Sequence, residues 1–302
     1  DYEFRVQTQT TVRGENLFIR RLPHASELRS TDELGFPDDI AERYRRHLDE
    51  PSGLALIVGP ANSGKTTTLY AGLQRYSNQP SRKVSTVEKP VEYRLEGIEQ
   101  TEPDGGFSEA VESLLENNSD VLAVGSIPDR QTARQALDAA RSGRLVVSTL
   151  EARDTAGAIE RLFNLGVEPN AVAGQLSAVF AQRLARRVCD GCREPVEPAA
   201  SLLEDIFGGE PPEGFSFYDG AGCVRCRGRG VRGQVALAEY LRVGPELRRA
   251  IAGEALLDDL RATAREAGME SLKASALRLV HQGVIPLSEL PRLLSEDLLA
   301  LD

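Results

Sequence analysis

The sequence has little of several residue types that mark particular classes of protein. Its 302 residues include no tryptophan, one methionine, three histidines and four cysteines, and aromatic residues make up only 5% of the chain. No apolar run approaches the roughly 18 residues that a transmembrane helix needs, so no membrane span is predicted. With 41% hydrophobic and 27% charged residues, the composition is typical of a soluble globular protein with room for two or more domains.

Positive charge is also scarce. The chain has 36 lysines and arginines against 46 aspartates and glutamates, which gives a formal net charge of −10. Since nucleic-acid binding depends on a basic face that displaces counterions, no nucleic-acid partner is expected. Basic residues do cluster over 182–187 and 225–232. For both clusters we favour a solvated helix face or an inter-subunit contact, and DNA binding remains the alternative.

The N-terminal segment has the pattern of a β-hairpin. Residues 2–22 alternate as in strands, with a turn predicted at Gly14 and Glu15. The sequence starts at Asp1 with no initiator methionine and no signal-type segment, so this segment is interpreted as a hairpin cut from a larger sheet. Residues 24–51 are punctuated by proline and glycine and are predicted to be a linker with a helix over 39–47.

The most informative segment is a complete G-x-x-x-x-G-K-T phosphate-binding loop over residues 59–67. It follows an apolar strand over 54–58 and precedes helix-forming residues, so an ordinary glycine turn is the weaker alternative. Backbone N–H groups of such a loop converge on phosphate oxygens, Lys65 reaches the β and γ phosphates, and Thr66 can ligate Mg²⁺. The predicted nucleotide-binding residues of the loop are Gly59, Ser63, Gly64, Lys65, Thr66 and Thr67.

Three further apolar segments, over 84–87, 121–124 and 145–148, alternate with helical patterns over 108–117 and 132–141. This β-α alternation predicts an α/β fold with a largely parallel sheet, and we place the nucleotide-binding domain over 52–187. Ligands bind such sheets at the carboxyl ends of the strands. Glu88, Ser126 and Glu151 follow three of these ends and are the candidates for roles at the phosphates.

All four cysteines lie in two C-x-x-C pairs within a segment, 188–234, that is rich in glycine and proline. This spacing favours a structural Zn²⁺ held by four thiolates, while a pair of disulfides or metal-free thiols are the alternatives. The predicted ligands are Cys189, Cys192, Cys223 and Cys226. Residues 235–302 have a helical pattern, with amphipathic helices expected over 271–280 and 287–299.

Taken together, several segments resemble the motor ATPases of bacterial type II secretion and type IV pilus systems. They are residues 59–70, 87–93, 148–150 and 181–184 together with the paired C-x-x-C motifs, so the resemblance covers nearly the whole chain. It implies a RecA-like fold that binds ATP and Mg²⁺, a hexameric ring at the cytoplasmic side of the inner membrane, and partners in the membrane platform and the pilus or secretion apparatus. It also implies that residues 1–23 are the end of a preceding α/β domain and that Arg5 and Arg20 approach the phosphates as arginine fingers. Surface arginines of an edge strand are the alternative.

The departures from this family pattern fall on the residues that support hydrolysis. Ser126 stands after Gly125 where the Walker B glutamate is expected, Lys89 replaces the second acid after Glu88, and Glu151 replaces a histidine. In addition, Glu112, Glu116 and Pro128 stand at positions where the family pattern has arginine.

Because the phosphate loop is intact and the metal-organising carboxylate is lost, we expect a protein that binds ATP and hydrolyses it slowly or not at all. Such a protein would scaffold or regulate an active paralogue in a mixed ring. The alternatives are an active hexameric motor in which Glu88 or Glu151 has taken over as the catalytic carboxylate, and, disfavoured by charge, a nucleic-acid-associated ATPase.

Overall fold

The structure is a computed structural model that describes residues 3–22, 27–77 and 81–300, without the side chains of residues 3, 5, 20 and 22. Strands β1 (Glu3–Thr11) and β2 (Gly14–Leu22) form the predicted hairpin. They pair antiparallel from Glu3 opposite Leu22 to Thr11 opposite Gly14, so the turn is Val12 and Arg13 rather than Gly14 and Glu15. Gly14 pairs within the strand ladder, where glycine adopts its φ of +123° without strain. The turn therefore lies two residues upstream of the predicted one.

The predicted linker helix is confirmed as α1 (Asp38–Leu48). Acidic residues in its first turn and basic residues in its last turn complement the helix dipole. Its apolar face is buried, and the Tyr44 hydroxyl donates a hydrogen bond of 2.8 Å to the carbonyl of Thr68. This contact fixes α1 against the helix that follows the phosphate loop.

A seven-stranded sheet forms the centre of the molecule. Its strands are β3 (Gly53–Val58), β4 (Val84–Val87), β5 (Glu99–Thr101), β6 (Val121–Val124), β7 (Leu145–Leu150), β8 (Leu176–Val188) and β11 (Val231–Arg242). They lie in the order β11-β8-β3-β7-β6-β4-β5, parallel throughout except for the antiparallel edge strand β11. The α/β prediction and the four predicted strands are confirmed, whereas β5, β8 and β11 were not predicted.

Helices cover both faces of this sheet, as expected of strands that are buried on each side. The helices of the nucleotide-binding half are α2 (Lys65–Ser77), α3 (Phe107–Leu115), α4 (Arg130–Arg141), α5 (Thr155–Asn164) and α6 (Pro169–Gln175). Side chains of α1 and α2 share one buried cluster with Ile57, and those of α4 to α6 share the other with Leu54 and Leu56. Alternate residues of β3 therefore serve the two cores.

The cysteine-rich segment contains a two-stranded antiparallel sheet of β9 (Arg193–Pro195) and β10 (Tyr218–Gly220). The connection between the two strands includes α7 (Ala200–Phe207). The chain then returns to the central sheet as β11 before α8 (Pro245–Ala252), α9 (Leu257–Glu266) and α10 (Leu272–His281). Two short helices follow, α11 (Leu290–Leu293) and α12 (Glu296–Leu299).

Three interpretations of helical pattern are wrong in whole or in part. Residues 182–187 lie in β8, where Arg183 is buried and Arg186 and Arg187 are exposed, so the cluster is not a solvated helix face. Residues 235–242 belong to β11, where they pair with β8 and where alternate side chains enter the two buried clusters on opposite faces of the sheet. The predicted helix over 287–299 is broken at Leu294, whose φ of −119° and ψ of 133° are extended. The helix over 271–280 is confirmed as α10. The division into domains at 23, 51, 187 and 234 remains a prediction.

Candidate nucleotide site and cysteine cluster

The phosphate loop lies between the end of β3 and the start of α2. Gly64 has a φ of +91°, which favours glycine, and a Cβ on Gly59 would lie 2.6 Å from the carbonyl oxygen of Gln182 and closer still to the Ser63 hydroxyl. Both glycines are therefore required for the loop to fold tightly against β8. Thr66 and Thr67, in the first turn of α2, are half-buried at the same place. The six predicted loop residues are thus brought together.

The Lys65 side chain is held in position above the loop. Its Nζ donates to the carbonyl oxygens of Gly59 at 2.9 Å and Pro60 at 2.8 Å. An ammonium has three donors, so one remains for an anion in the loop. Burial lowers the pKa of Lys65, an effect that Glu151 opposes and Arg183 reinforces. The negative charge of Glu151 thus acts directly on the lysine that would bind phosphate.

Gln182 on β8 connects the loop to the sheet. Its Nε2 donates to the Ser63 carbonyl at 2.7 Å, and its Oε1 accepts from the Thr68 hydroxyl at 2.9 Å. Both ends of the amide are used within a buried site, and this fixes its orientation. The Ser63 hydroxyl itself is buried without a hydrogen-bond partner among the described residues. A polar atom left unpaired at this place fits a loop shaped for a ligand.

Glu88, Ser126 and Glu151 follow β4, β6 and β7, which are consecutive neighbours in the sheet. A Cβ on Gly125 would lie 3.3 Å from the Glu88 Cα, so the Ser126 loop passes directly beside Glu88. Ser126 is half-buried, and Glu151 is exposed. The expected edge of the sheet therefore does collect all three candidates.

The Glu88 carboxylate is occupied by hydrogen bonds. One oxygen accepts from the Tyr70 hydroxyl, and the other accepts from the Thr86 hydroxyl at 2.6 Å and from Gln100 Nε2 at 3.1 Å. Burial raises the pKa of Tyr70, so this phenol remains protonated and donates. Its oxygen accepts in turn from the backbone N–H of Glu92 at 2.8 Å. This network orders the segment after β4 and leaves Glu88 poorly placed to bind a water.

The other basic residues that the sequence singled out are Lys89 and the N-terminal arginines Arg5 and Arg20. The Lys89 ammonium donates to the carbonyl of Gly105 at 2.9 Å and so connects two loops. Arg5 and Arg20 are register partners in the hairpin, but their side chains lie outside the described residues, and their role as fingers remains a prediction.

Two buried charged residues near the site, Arg183 and Glu239, were not among the predicted site residues. Arg183 donates to the carbonyls of Leu293 at 3.1 Å, Gln182 at 2.9 Å and Arg153, and so fastens the loop that carries Glu151 to β8. Glu239 on β11 accepts from the N–H groups of Thr155 at 2.9 Å and Leu272 at 3.0 Å, the first residues of α5 and α10. Burial raises the pKa of Glu239. Neither residue can be assigned such contacts without the tertiary structure.

A cavity of about 220 Å³ opens beside the loop. Gly64 and Thr67 border it, and Leu34, Tyr93 and Leu184 supply an apolar wall. Polar and charged side chains, among them Arg29 and Gln234, complete the lining. A pocket that offers both an apolar wall and hydrogen-bonding groups next to phosphate-binding backbone suits the nucleoside part of a nucleotide.

The four cysteine sulfurs converge on one point. Their Sγ atoms lie within 4.8 Å of one another, and three pairs are separated by 3.8 Å: Cys189 with Cys223, Cys192 with Cys226, and Cys223 with Cys226. Four thiolates at the Zn–S distance of about 2.3 Å would be separated by roughly 3.8 Å in a tetrahedron. A disulfide needs about 2.05 Å, so this geometry fits the metal and not paired disulfides.

Backbone groups support the cluster. The N–H of Cys223 donates to the Cys226 sulfur at 3.1 Å and lowers the pKa of that thiol to about 6. In contrast, burial raises the pKa of Cys192 to about 12 when no ion is present. The donor set therefore suits a cation that displaces the thiol protons.

A parallel sheet whose first nucleotide-domain strand leads through a phosphate loop into a helix defines a RecA-like P-loop fold. The pilus retraction motor PilT, solved with bound ADP, superposes with a TM-score of 0.70 at 21% identity over 95% of this chain and 72% of PilT. At this identity the likeness shows the fold alone.

The family is shown by sequence. The family described as Type II/IV secretion system protein matches residues 1–292, and the chain belongs to it. It is 38% identical over 294 residues to the type IV pilus assembly ATPase PilB of Thermus thermophilus, covering 96% of this chain and 33% of the relative. It is 35% identical over 303 residues to the type II secretion system ATPase E of Vibrio cholerae, covering 98% of this chain and 59% of the relative. The chain thus spans about one third of the length of the first relative and about three fifths of the second. Within the described ranges no helix combines the length and apolar character needed to cross a membrane.

Proposed function

We propose that this chain is an ATP-binding subunit of a pilus-assembly or secretion motor that hydrolyses ATP slowly or not at all. The observation that carries the proposal is the contrast between an intact phosphate loop, with Lys65 held by two carbonyls, and Ser126 at the end of β6. Serine cannot supply the negative charge that organises Mg²⁺ and orients water.

Binding is supported by the residues that would contact ATP in its ground state. The backbone of the loop, Lys65 and Thr66 would hold the phosphates and Mg²⁺, and the adjoining cavity would take the nucleoside. When bound, Mg²⁺ neutralises phosphate charge. The cysteine cluster would hold a structural Zn²⁺ that stabilises the segment over 188–234.

Weak hydrolysis is supported by the chemistry of phosphoryl transfer. Catalysis depends on positioning and on charge stabilisation around the γ-phosphate, so loss of an organising carboxylate lowers the rate by orders of magnitude while binding persists. Gly125 and Ser126 are followed by Ile127 and Pro128, which carry no charge. The next carboxylate, Asp129, caps α4 by accepting from the N–H of Thr132 at 2.8 Å.

A second candidate is an active motor with a relocated carboxylate, and one observation favours Glu151 for that role. Glu151 is exposed at the end of β7 and acts electrostatically on Lys65, whereas both oxygens of Glu88 are already bonded. In that case Glu151 would accept the proton of the attacking water.

For the assembly we propose a hexameric ring, made of this chain alone or mixed with an active paralogue, on the cytoplasmic side of the inner membrane. The ring would engage the membrane platform and the pilus or secretion apparatus. The hexamer and its place at the membrane rest on the family resemblance, and the names of the relatives, a type IV pilus assembly ATPase and a type II secretion ATPase, support the pilus or secretion apparatus as the partner. Arg5 and Arg20 would then approach the phosphates as fingers.

The test is a pair of measurements on one preparation: ATP affinity by calorimetry with Mg²⁺, and phosphate release under the same conditions. We expect saturable binding that weakens at least about 10-fold in Lys65→Ala, with phosphate release near background. Release that is well above background and disappears in Lys65→Ala supports the active motor instead. Absence of ATP binding contradicts both.

A further inference from the structure

Opposite edges of the central sheet carry opposite charge. Residues 92–120, which include β5 and α3, contain nine acidic residues and a single arginine. We call this segment the acidic edge. Five of its acids are exposed and form no ion pair with any described residue: Glu96, Asp104, Glu109, Glu112 and Glu116.

Helix α3 presents part of this charge in one direction. Glu109, Glu112 and Glu116 are spaced three and four residues apart and so lie on one face, opposite the buried Val111 and Leu114. Adjacent like charges repel by a few tenths of a kcal/mol per pair, a small cost that a basic partner would remove.

The other edge has the reverse character. The second cysteine knuckle and its continuation into β11, residues 223–232, contain Arg225, Arg227, Arg229 and Arg232. All four are exposed, and none forms an ion pair within the described ranges. Val224, at the tip, is 95% exposed. We call this segment the basic knuckle.

The two segments cannot neutralise each other within one chain. β5 and β11 are the two edge strands, six strand spacings apart. At about 4.8 Å per spacing the separation is roughly 30 Å, several times the Debye length of about 8 Å at physiological salt. Exposed arginines elsewhere do find carboxylates, for example Arg249 with Glu246 at 3.0 Å.

We propose that the basic knuckle of one chain docks against the acidic edge of a second copy. Charge complementarity identifies the partner as a second copy of this chain, because the acidic edge, with the glutamate face of α3, matches the basic knuckle and lies at the opposite edge of the same sheet. Such a contact is head-to-tail, so repetition closes a ring or extends a filament. The inference deepens the proposed ring assembly and rests on it for closure, but it does not depend on nucleotide hydrolysis.

The test uses two charge-reversed forms of the full chain. The knuckle form carries Arg227→Glu and Arg232→Glu, and the edge form carries Glu109→Lys and Glu112→Lys. Each form alone opposes like charges across the contact, whereas an equimolar mixture restores opposite charges at every contact of an alternating assembly. A control form, Arg134→Glu with Arg161→Glu, changes the same charge at two other exposed arginines, on α4 and α5.

Association is measured by sedimentation velocity at about 50 and 500 mM salt. We expect wild type and control to associate at low salt, each reversed form alone to associate at least about 10-fold more weakly, and the mixture to recover. Unchanged self-association of either reversed form, failure of the mixture to recover, or a wild type that stays monomeric at low salt overturns the proposal.

A rival partner for the knuckle is an anionic lipid surface or nucleic acid. It is tested with vesicles containing phosphatidylserine and with single-stranded DNA. If wild type binds the vesicles or the DNA, and if this binding is lost in the knuckle form and is not recovered by mixing with the edge form, docking between copies is contradicted. ATP affinity is measured on wild type and on the same reversed forms, and we expect it to be equal in all of them. A wild type that does not bind ATP would contradict the proposed function and would leave the proposed contact between copies untouched.

Discussion

The Tyr70 hydroxyl donates a hydrogen bond to the Glu88 carboxylate, and the pair lies buried between α2 and the end of β4. The side chains of Thr86 and Gln100 donate to the other carboxylate oxygen. Both oxygens of Glu88 are therefore occupied by structural hydrogen bonds, and neither is free to accept a proton from a water. This separates the two carboxylates that the sequence left as alternatives.

Replacing Glu88 should therefore affect stability. In Glu88→Gln the amide NH₂ faces at least one donor, so we expect the free energy of unfolding to fall by about 1–3 kcal/mol. Urea titration measures this, with Glu96→Gln on the exposed surface as the matched control. Unchanged stability together with lost phosphate release would instead assign Glu88 a catalytic role.

Restoring the carboxylate after β6 should increase turnover. We expect Ser126→Glu to raise the rate of phosphate release at least about 10-fold, since the organising charge is returned beside the loop. Ser126→Ala is the control and should leave the basal rate unchanged. If Glu151→Gln abolishes a measurable basal rate while Ser126→Glu adds nothing, the catalytic carboxylate lies on β7.

Gln182 should matter for ATP affinity. Gln182→Ala removes two hydrogen bonds that position Ser63 and Thr68, each worth about 1 kcal/mol, so we expect the dissociation constant to rise about 3- to 30-fold. Calorimetry measures this. Gln282→Ala, at an exposed residue directly after α10 that lines neither the loop nor the cavity, is the control and should change affinity little.

Metal removal should destabilise the cysteine segment. Wild type is expected to hold about one zinc ion, and Cys223→Ser should lose it together with part of the thermal stability, because metal binding is coupled to folding. Elemental analysis and a thermal melt measure the two effects. Chelation followed by addition of zinc should restore the wild-type melt, and a melt that is indifferent to zinc would contradict a structural metal.

Stability should fall on acidification through His47. The Ser177 hydroxyl donates to the carbonyl of Leu54 at 2.9 Å, so it accepts from His47 Nε2–H at 2.9 Å, and Nδ1 remains buried without a hydrogen bond. Burial lowers the pKa of His47, with Glu50 opposing and Arg242 assisting.

The unfolded chain therefore binds a proton below about pH 6.5, before the folded chain does, and stability is lost as pH falls from there toward the folded pKa. The slope should reach at most about 1.4 kcal/mol per pH unit. Urea titrations at pH 7.5, 6.5 and 5.5 measure it, and His47→Gln should remove this component. An equal slope in both proteins would contradict the assignment.

Short-range signals in the sequence determined the class of fold and most of the candidate site. Glycine and lysine at fixed spacing after an apolar strand define the phosphate loop, since the backbone conformation needed there follows from residue type. The spacing of the paired C-x-x-C motifs predicted that the four cysteines converge, which their sulfur atoms do, and strand ends marked Glu88, Ser126 and Glu151 as candidates.

Only the tertiary structure decided where β8 and β11 lie, because an apolar segment such as residues 235–241 fits a helix or a strand until a pairing partner is known. It also decided that Glu88 is bonded and Glu151 is open, that Gln182 and Arg183 connect the loop to the sheet, and that the charged segments 92–120 and 223–232 lie on opposite edges. Each of these depends on contacts between residues far apart in the chain, and local spacing carries no information about them.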